Sequence, residues 1–141
     1  MIASFNIKNM KPKIIIASGP VIVEDEKVLL NQHGDTDFWK FCGGRVEDFS
    51  TSLIENAKRE VKEEMGIEIN ITNETPFFLH TKKEKDGLEL DVILVHYLAE
   101  RLGEIKPGED IREWVWLPLK DLEKEKLAPN IIPVLKHFNF L

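Results

Sequence analysis

The sequence predicts a mixed α/β or α+β fold in which a β-sheet lies between helices. Runs of β-branched residues come first, then one strongly amphipathic helix, then more strands and further helices, an order typical of such layered folds. The chain has 141 residues, of which 43% are hydrophobic and 31% charged. That length and composition suit one globular domain with its own core. We therefore expect a single domain over residues 13–141, preceded by a leader or an edge strand over residues 1–12.

The charge and cysteine content narrow the functional classes. A net charge of −6 argues against a broadly basic surface and therefore against a nucleic-acid partner. The single cysteine, Cys42, excludes an internal disulfide and agrees with a reducing compartment. No apolar run approaches the roughly 18 residues that span a bilayer, and the first residues lack the apolar segment of a signal peptide. We expect a cytoplasmic protein without a membrane partner.

Two β-branched segments predict the first strands. Lys13–Val23 is apolar apart from Ser18–Pro20, where the Gly-Pro pair predicts a bulge or kink. Lys27–Gln32 predicts a second strand after the polar turn Glu24–Glu26. Because the turn between the two segments is short, we expect them to form a hairpin.

Ser52–Met65 predicts the main helix. Ser52 followed three residues later by Glu55 is a capping-box pattern, and Gly66 stands where a left-handed helix end is expected. Apolar residues recur at helical spacing and predict a buried face. The face consists of Ile54, Ala57, Val61 and Met65.

The second half of the chain alternates strand and turn signals before it ends in helices. We expect strands at Ile67–Ile71, Pro76–Thr81, Leu88–Ala99 and Glu113–Leu117, a charged turn at Lys82–Gly87, a loop at Arg101–Arg112, and helices at Pro118–Glu123 and Pro129–Phe140.

Three carboxylates of the main helix share one sector. Glu64 lies about 40° from Glu60 around the helix axis, and Glu63 about 60° to the other side. Clustered acids repel each other unless a cation lies among them, and hard cations such as Mg²⁺ take oxygen ligands. An acidic helix is more often an ordinary solvated surface. The flexible Gly43–Gly44 pair shortly before the helix and the glycine at its end favour a ligand site instead.

This segment resembles the signature of the Nudix hydrolase family. That signature is Gly, five residues, Glu, seven residues, then Arg-Glu-hydrophobic-any-Glu-Glu-any-Gly-hydrophobic. Gly44 matches its first glycine and Arg59–Ile67 its second half. Phe38–Phe41 and Trp114–Leu122 also resemble the family's flanking segments. The resemblance implies a mixed β-sheet sandwiched between α-helices and a Mg²⁺- or Mn²⁺-dependent enzyme that cleaves a pyrophosphate bond.

The resemblance also implies roles for individual residues. The metal would be bound by the Gly44 carbonyl together with Glu60, Glu63 and Glu64, and these glutamates would be catalytic. The general base would be one of them or an acid of a later loop. Glu109 is our first choice for that acid, with Asp110 and Glu113 as alternatives, although each alone is more often a solvated loop charge. Arg59 and Gly66 would support the site structurally.

The first half of the signature departs from the family pattern. The turn from Gly44 to Thr51 is one residue longer, and Thr51 stands where the family has its first glutamate. In the family that glutamate pairs with the signature arginine, so Arg59 requires another partner. Glu47 and Asp48 are the nearest acids.

Several other residues have an ordinary and a functional interpretation. Lys40 and Arg45 flank the glycines and could bind phosphate, or be plain surface charges. The aromatic residues are expected in the core, Trp39 above all, although some could stack on a base; those are Phe38, Phe77, Phe78 and Trp114. The four histidines have no metal-ligand spacing, so a zinc site is not expected. Cys42 has no identifiable basic partner and is not expected to be a nucleophile.

The resemblance therefore implies a pyrophosphohydrolase acting on a nucleoside diphosphate linked to another group. Its small-molecule substrate could be a nucleoside triphosphate, ADP-ribose or another nucleotide sugar, or a dinucleoside polyphosphate. A nucleotide-binding or regulatory module without turnover is the main alternative, because of the altered turn. A purely structural domain is a weaker one, and a homodimer stays open.

Overall fold

The strands divide into two sheets rather than one. The computed structural model describes residues 14–141, so the leader or edge strand expected over residues 1–12 lies outside the described residues. The strands are β1 Ile14–Val21, β2 Val23–Glu24, β3 Lys27–His33, β4 Gly44–Arg45, β5 Glu68–Ile71, β6 Phe77–Lys85, β7 Leu88–Leu102 and β8 Ile111–Pro118. The helices are α1 Leu53–Met65 and α2 Ile131–His137, with a 3₁₀ helix at Leu119–Lys124. This mixed α and β content confirms the predicted fold class.

The long strand β7 organises the larger, mixed sheet. On one edge it pairs in parallel with all of β1, from Ile14 opposite Asp91 to Val21 opposite Leu98. On its other edge it pairs antiparallel with β6 and then, near its end, with β5. The short β4 extends the sheet beyond β1. Both faces of β7 are apolar in its middle, as expected for a strand at the centre of a layered fold.

The hairpin predicted for the first two segments forms only where they meet, with Val23 opposite Val28. β1 pairs with β7, and the chain changes sheets at Ile22, after which only β2 forms a hairpin with β3. The turn residues Asp25 and Glu26 both have positive φ, at 49° and 61°, which matches a tight hairpin turn. Runs of β-branched residues predict strands but do not specify their partners.

The predicted bulge at Ser18–Pro20 is absent, because the register of β1 against β7 is continuous. Pro20 is tolerated because the pairing with β4 involves Ala17 and Ser18 and stops before the proline, so that pairing does not need the missing N–H. Gly19 has a different purpose from the one expected. A Cβ atom there would overlap the Cys42 carbonyl, so the glycine allows a neighbouring segment to approach β1.

Helix α1 ends as the sequence predicts. The Ser52 hydroxyl accepts a hydrogen bond from the Glu55 amide at 3.1 Å, and Gly66 ends the helix at φ 68°. Ala57, Val61 and Met65 are completely buried and pack the helix against the mixed sheet. The opposite side of the helix is polar, so its acids are left at the protein surface or in a cleft.

The charged turn predicted at Lys82–Gly87 is mostly strand. β6 runs to Lys85, and only Asp86 and Gly87 form the turn, with φ values of 53° and 76°. Lys82 pairs with Glu89 across the hairpin at 2.7 Å, and opposite charges on facing strands favour the extended pairing. β7 likewise continues to Leu102, further than expected.

The second sheet contains β2, β3 and β8 in that order and is antiparallel. Part of this sheet shares one hydrophobic cluster with the 3₁₀ helix and α2, whose Ile131, Val134 and Leu135 are fully buried. Trp39 packs against this core, which confirms the packing interpretation. Within residues 14–141, no helix is long and apolar enough to cross a membrane.

Candidate active site

The Gly43–Gly44 segment runs alongside β1, close to its backbone. Gly43 has φ 140°, and a Cβ atom on it would overlap the Ser18 carbonyl and the Gly19 backbone. Gly44 pairs with Ser18 in the sheet. Only residues without side chains allow this approach. The result is that one amide and one carbonyl of this segment face α1.

Glu64 is the most buried of the three signature glutamates, at 7% exposure. Its Oε1 accepts a hydrogen bond from the Gly43 amide at 2.8 Å. Its Oε2 lies 2.7 Å from His33 Nε2, although the geometry of this contact is not that of a hydrogen bond. A carboxylate held on both oxygens has a fixed orientation, which suits a site that must be preorganised.

Glu60 lies against the second glycine. A Cβ atom on Gly44 would overlap the Glu60 carboxylate. Burial raises the pKa of Glu60; Arg59 opposes this shift, and the nearby charges of Glu64 and Glu63 add to it. Negative charge is therefore concentrated at this point, and a cation placed there would relieve it. We refer to Glu60, Glu63 and Glu64 as the acid cluster.

The later loop brings two of its three acids to the acid cluster. The loop is bound to the end of α1, since the Lys106 amide donates to Met65 O at 2.7 Å and the Gly108 amide to Glu64 O at 2.8 Å. A cavity of about 110 Å³ lies between loop and helix. It is lined by His33, Glu60, Glu63, Glu64, Gly108, Glu109, Asp110 and Ile111. Glu113, the third predicted acid, lies on β8 and does not line it.

The predicted partners of Arg59 are wrong. Neither Glu47 nor Asp48 contacts it, because Asp48 Oδ1 accepts from the Ser50 amide and hydroxyl within its own turn. Arg59 instead donates to Asn56 Oδ1 at 2.7 Å and pairs with Glu60 and Glu63, each at 3.1 Å. Glu63 is 59% exposed, so its pairing with Arg59 is a surface contact.

The donor set fits a hard divalent cation in its chemistry, with carboxylate oxygens beside a backbone carbonyl. The overlap that a Cβ atom on Gly44 would make shows that the Glu60 carboxylate reaches that backbone. Among residues 14–141, no three His, Cys, Asp or Glu side chains already converge on a ligand position. The oxygens of the acid cluster instead contact Arg59, the Gly43 amide and His33. These contacts stabilise the negative charge of the cluster in the present arrangement.

A larger cavity of about 410 Å³ lies against the same Gly43–Gly44 segment. Phe38, Phe41, Val92 and Leu94 give it apolar walls, and no Asp or Glu from the described part of the chain lines it. Four cationic side chains do, and we call them the cationic rim. They are Lys40, Arg45, Lys83 and Lys85.

Burial lowers the pKa of Lys40, while Glu64 raises it and Lys83 lowers it. Lys40 and Lys83 line the same cavity, and the charge of Lys83 contributes to the lowered pKa of Lys40. An anion near both would relieve the repulsion between these like charges. Lys40 and Arg45, the two cations predicted from the sequence, thus lie together at this cavity with two lysines of β6.

His96 and Asn130 also line this cavity, and both are buried. His96 is 5% exposed, and burial lowers its pKa to about 4, so its ring is neutral at pH 7. The Asn130 amide nitrogen lies 3.1 Å from His96 Nε2. With that amide as donor, Nε2 accepts and Nδ1 carries the proton. Nδ1 is buried without a hydrogen-bond partner among the described residues, so its hydrogen-bonding capacity is unused in this structure.

Sequence reasoning missed Asn56, His96, Asn130, Lys83 and Lys85. A polar Asn one turn before Arg59 and Glu60 was a usable signal, since residues three and four apart meet on a helix. The others gave no local signal, because His96 and Asn130 meet across 34 residues. Of the aromatics proposed for stacking, only Phe38 lines the cavity. Phe77 stacks on His137, and Phe78 and Trp114 are exposed.

The layered fold, the double glycine and the acidic helix together define a Nudix hydrolase. The model of the NUDIX domain matches residues 15–138, and the chain belongs to this family. It is a Nudix pyrophosphohydrolase, a class that hydrolyses a pyrophosphate bond in nucleoside diphosphate derivatives and generally uses a divalent metal ion.

The chain is similar to known proteins along most of its length. It is 28% identical over 126 residues to the nucleoside triphosphatase NudI of Escherichia coli, covering 80% of this chain and 86% of that protein. The solution structure of the E. coli ORF135 protein superposes with a TM-score of 0.69 at 26% identity, covering 90% and 89% of the two chains. A NUDIX hydrolase from Nitrosomonas europaea gives 0.74 at 18% identity, covering 91% and 88%.

Proposed function

We propose that the protein hydrolyses a nucleoside triphosphate with Mg²⁺ or Mn²⁺ as the metal. The observation that carries the proposal is the shared Gly43–Gly44 segment, which borders both the acid cluster and the larger cavity. One nucleotide could place its base in the cavity and its phosphates over the acids. Similarity to a nucleoside triphosphatase along 80% of the chain supports this substrate class.

The acid cluster and the Gly44 carbonyl would hold the metal. A divalent ion there would neutralise phosphate charge and orient the pyrophosphate for attack. The three carboxylates then have a common task, which explains why the chain keeps like charges together and close to a backbone carbonyl. Arg59 would keep Glu60 and Glu63 apart, and Gly66 would end the helix directly after Glu64.

Glu109 would act as the general base. It lines the small cavity with the acid cluster and is exposed to solvent, so it can reach a water molecule there. Glu109 takes one proton from that water as the water oxygen bonds to phosphorus. The bond from phosphorus to the bridging oxygen breaks, and the bridging oxygen leaves with the electron pair. A positioned base of this kind contributes roughly 10²–10⁴-fold to rate.

The cationic rim would bind the phosphate chain. Lys40 and Lys83 repel each other without an anion, and the phosphate charges would lie between them and Arg45. The nucleobase of the substrate would lie against Phe38, with its polar edge toward His96 and Asn130. Because burial keeps the His96 ring neutral, this end of the cavity would suit an uncharged base better than a charged group.

The test is a panel of nucleotides assayed with Mg²⁺ for phosphate-containing products. The panel includes nucleoside triphosphates, ADP-ribose, nucleotide sugars and dinucleoside polyphosphates. We expect triphosphates to be hydrolysed best and Glu64→Gln to reduce kcat on the order of 10²–10⁴-fold. Its amide oxygen still accepts from the Gly43 amide, so the variant should fold.

Glu55→Gln is the matched control, since Glu55 lies on the same helix and is 63% exposed. It should leave kcat unchanged. Binding of nucleotides without any Mg²⁺-dependent product would support the non-catalytic module instead. Preference for ADP-ribose or a dinucleoside polyphosphate would contradict the substrate class, and equal activity of Glu64→Gln would contradict the site.

A further inference from the structure

Asn56 connects three elements of the site at one buried point. The residue is 3% exposed, so its amide must find partners inside the protein. Nδ2 donates to Ser18 Oγ at 2.8 Å and to the Gly44 carbonyl at 3.1 Å. Oδ1 accepts from Arg59 Nη2 at 2.7 Å. The side chain therefore joins β1, β4 and α1.

The partners allow only one orientation of this amide. If the amide were turned over, its nitrogen would face the Arg59 guanidinium, which has only donors. Its oxygen would then face the Gly44 carbonyl, which has only acceptors. Both contacts would be repulsive, so the donors of Asn56 must point to Gly44 and its acceptor to Arg59.

Arg59 transmits this fixed orientation to two carboxylates. Its Nη2 lies 3.1 Å from Glu60 Oε1, and its Nη1 lies 3.1 Å from Glu63 Oε1. The Arg59 side chain is itself 48% exposed, and exposed ion pairs alone hold a long side chain weakly. The contact with buried Asn56 is the one that fixes the guanidinium.

We propose that Asn56 is a positioning residue for the metal-binding arrangement. It directs the Gly44 carbonyl and anchors Arg59, which in turn spaces Glu60 and Glu63. The inference rests on the proposed function, which takes these groups to hold a divalent cation. It also explains how the site is held together although Glu47 and Asp48 do not contact Arg59.

The test measures Mn²⁺ affinity by electron paramagnetic resonance, which needs no substrate and no turnover. Asn56→Ala should raise the Kd for Mn²⁺ about 10–100-fold, the usual effect of losing a group that orients metal ligands. Ser18→Ala is the matched control. It removes the hydroxyl that accepts from the Asn56 amide and donates to Leu53 O at 2.9 Å, but leaves the contacts of Asn56 to Gly44 and Arg59 in place.

Urea unfolding of both variants separates positioning from stability. A merely structural role predicts that the two variants lose similar stability and bind Mn²⁺ alike, and that result would overturn the inference. If Asn56→Ala does not fold, Arg59→Lys serves as the second variant, because its position is half exposed. Lysine keeps the charge but lacks the two-pronged contact, so Kd should rise severalfold; an unchanged Kd would overturn the inference.

The outcomes for the wild-type protein distinguish this inference from the proposed function. Mn²⁺ binding without hydrolysis of any nucleotide would overturn the proposed function, while a raised Kd in Asn56→Ala would still support the role of Asn56. Wild-type Kd in Asn56→Ala would overturn the inference alone. Absence of Mn²⁺ binding by the wild type would overturn both.

Discussion

The acid cluster and the larger cavity lie on the same two glycines but differ in charge and polarity. The acid cluster gathers three carboxylates, and two more acids from the following loop face it across a cavity of about 110 Å³. The larger cavity has about 410 Å³, apolar walls, a neutral His96 and four cations. A single backbone segment thus separates a region that attracts cations from one that attracts anions and flat rings.

This difference indicates a division of tasks. Chemistry on a pyrophosphate requires charge neutralisation, which the acid cluster can provide through a metal. Selection of one nucleotide over another requires a complementary shape and a few hydrogen bonds. An apolar cavity with convergent polar groups provides both. The two tasks can then change independently, and variants of each region should affect different measurements.

Alanine substitutions of Gly43 and Gly44 should give the largest difference between variants, because one should lose stability and the other activity. In Gly44→Ala the atoms nearest to the new Cβ belong to the end of the Glu60 side chain, which can move away. Stability should stay close to wild type, while kcat falls on the order of 10²–10³-fold because a carboxylate is displaced. In Gly43→Ala the Cβ meets backbone atoms at φ 140°, so the protein should lose stability.

Thermal unfolding and steady-state kinetics of both glycine variants provide the measurement. If Gly43→Ala and Gly44→Ala lost similar stability, the segment would have one structural role. That result would contradict the division of tasks.

One component of the pH dependence of stability should report on the larger cavity through His96. Unfolded His96 takes up a proton near its ordinary pKa of 6.5, whereas burial lowers the folded value to about 4. Protons therefore favour the unfolded state between these values. This contribution is absent above pH 6.5 and destabilises by up to about 3 kcal/mol as the pH falls to 4.

Urea unfolding at pH 7 and pH 4.5 tests this. His96→Gln should lose less stability on acidification than the wild type. His80→Gln, at a position 56% exposed, should behave like the wild type. Equal acid sensitivity of wild type and His96→Gln would show that His96 does not titrate in this way.

A change in the cationic rim should have the smallest effect and should appear in KM. Lys40→Met keeps the length of the side chain but removes a charge that would contact phosphate. We expect KM for a nucleoside triphosphate to rise about tenfold with kcat within threefold, since one charge-assisted hydrogen bond is lost. Lys124→Met, at a position 77% exposed, is the control. A fall in kcat without a change in KM would place Lys40 with the acid cluster instead.

The helix and its acids could be predicted from the sequence because their signals are local. Ser52, Gly66 and the spacing of the apolar residues determine α1 within a short window, and the three glutamates follow from its periodicity. The general location of Lys40 and Arg45 followed from their closeness to the glycines. Their roles at the site remain proposals.

The remaining features depend on contacts between distant residues. Asn56 meets Ser18 across 38 positions, and no periodicity reports such a contact. The pairing of β1 with β7 was missed because a strand signal does not specify its partner. The partner of Arg59 was sought among acids close in sequence, whereas an amide one helical turn away is nearer in space.

The loop that carries Glu109 is joined to the last turn of α1. The amides of Lys106 and Gly108 donate to Met65 O and Glu64 O, carbonyls that a helix end leaves without partners. Opening the loop therefore breaks the bonds that complete the helix, and fraying of the helix releases the loop. The two segments form one cooperative unit of local unfolding, so slow amide exchange in the helix end would extend into the loop.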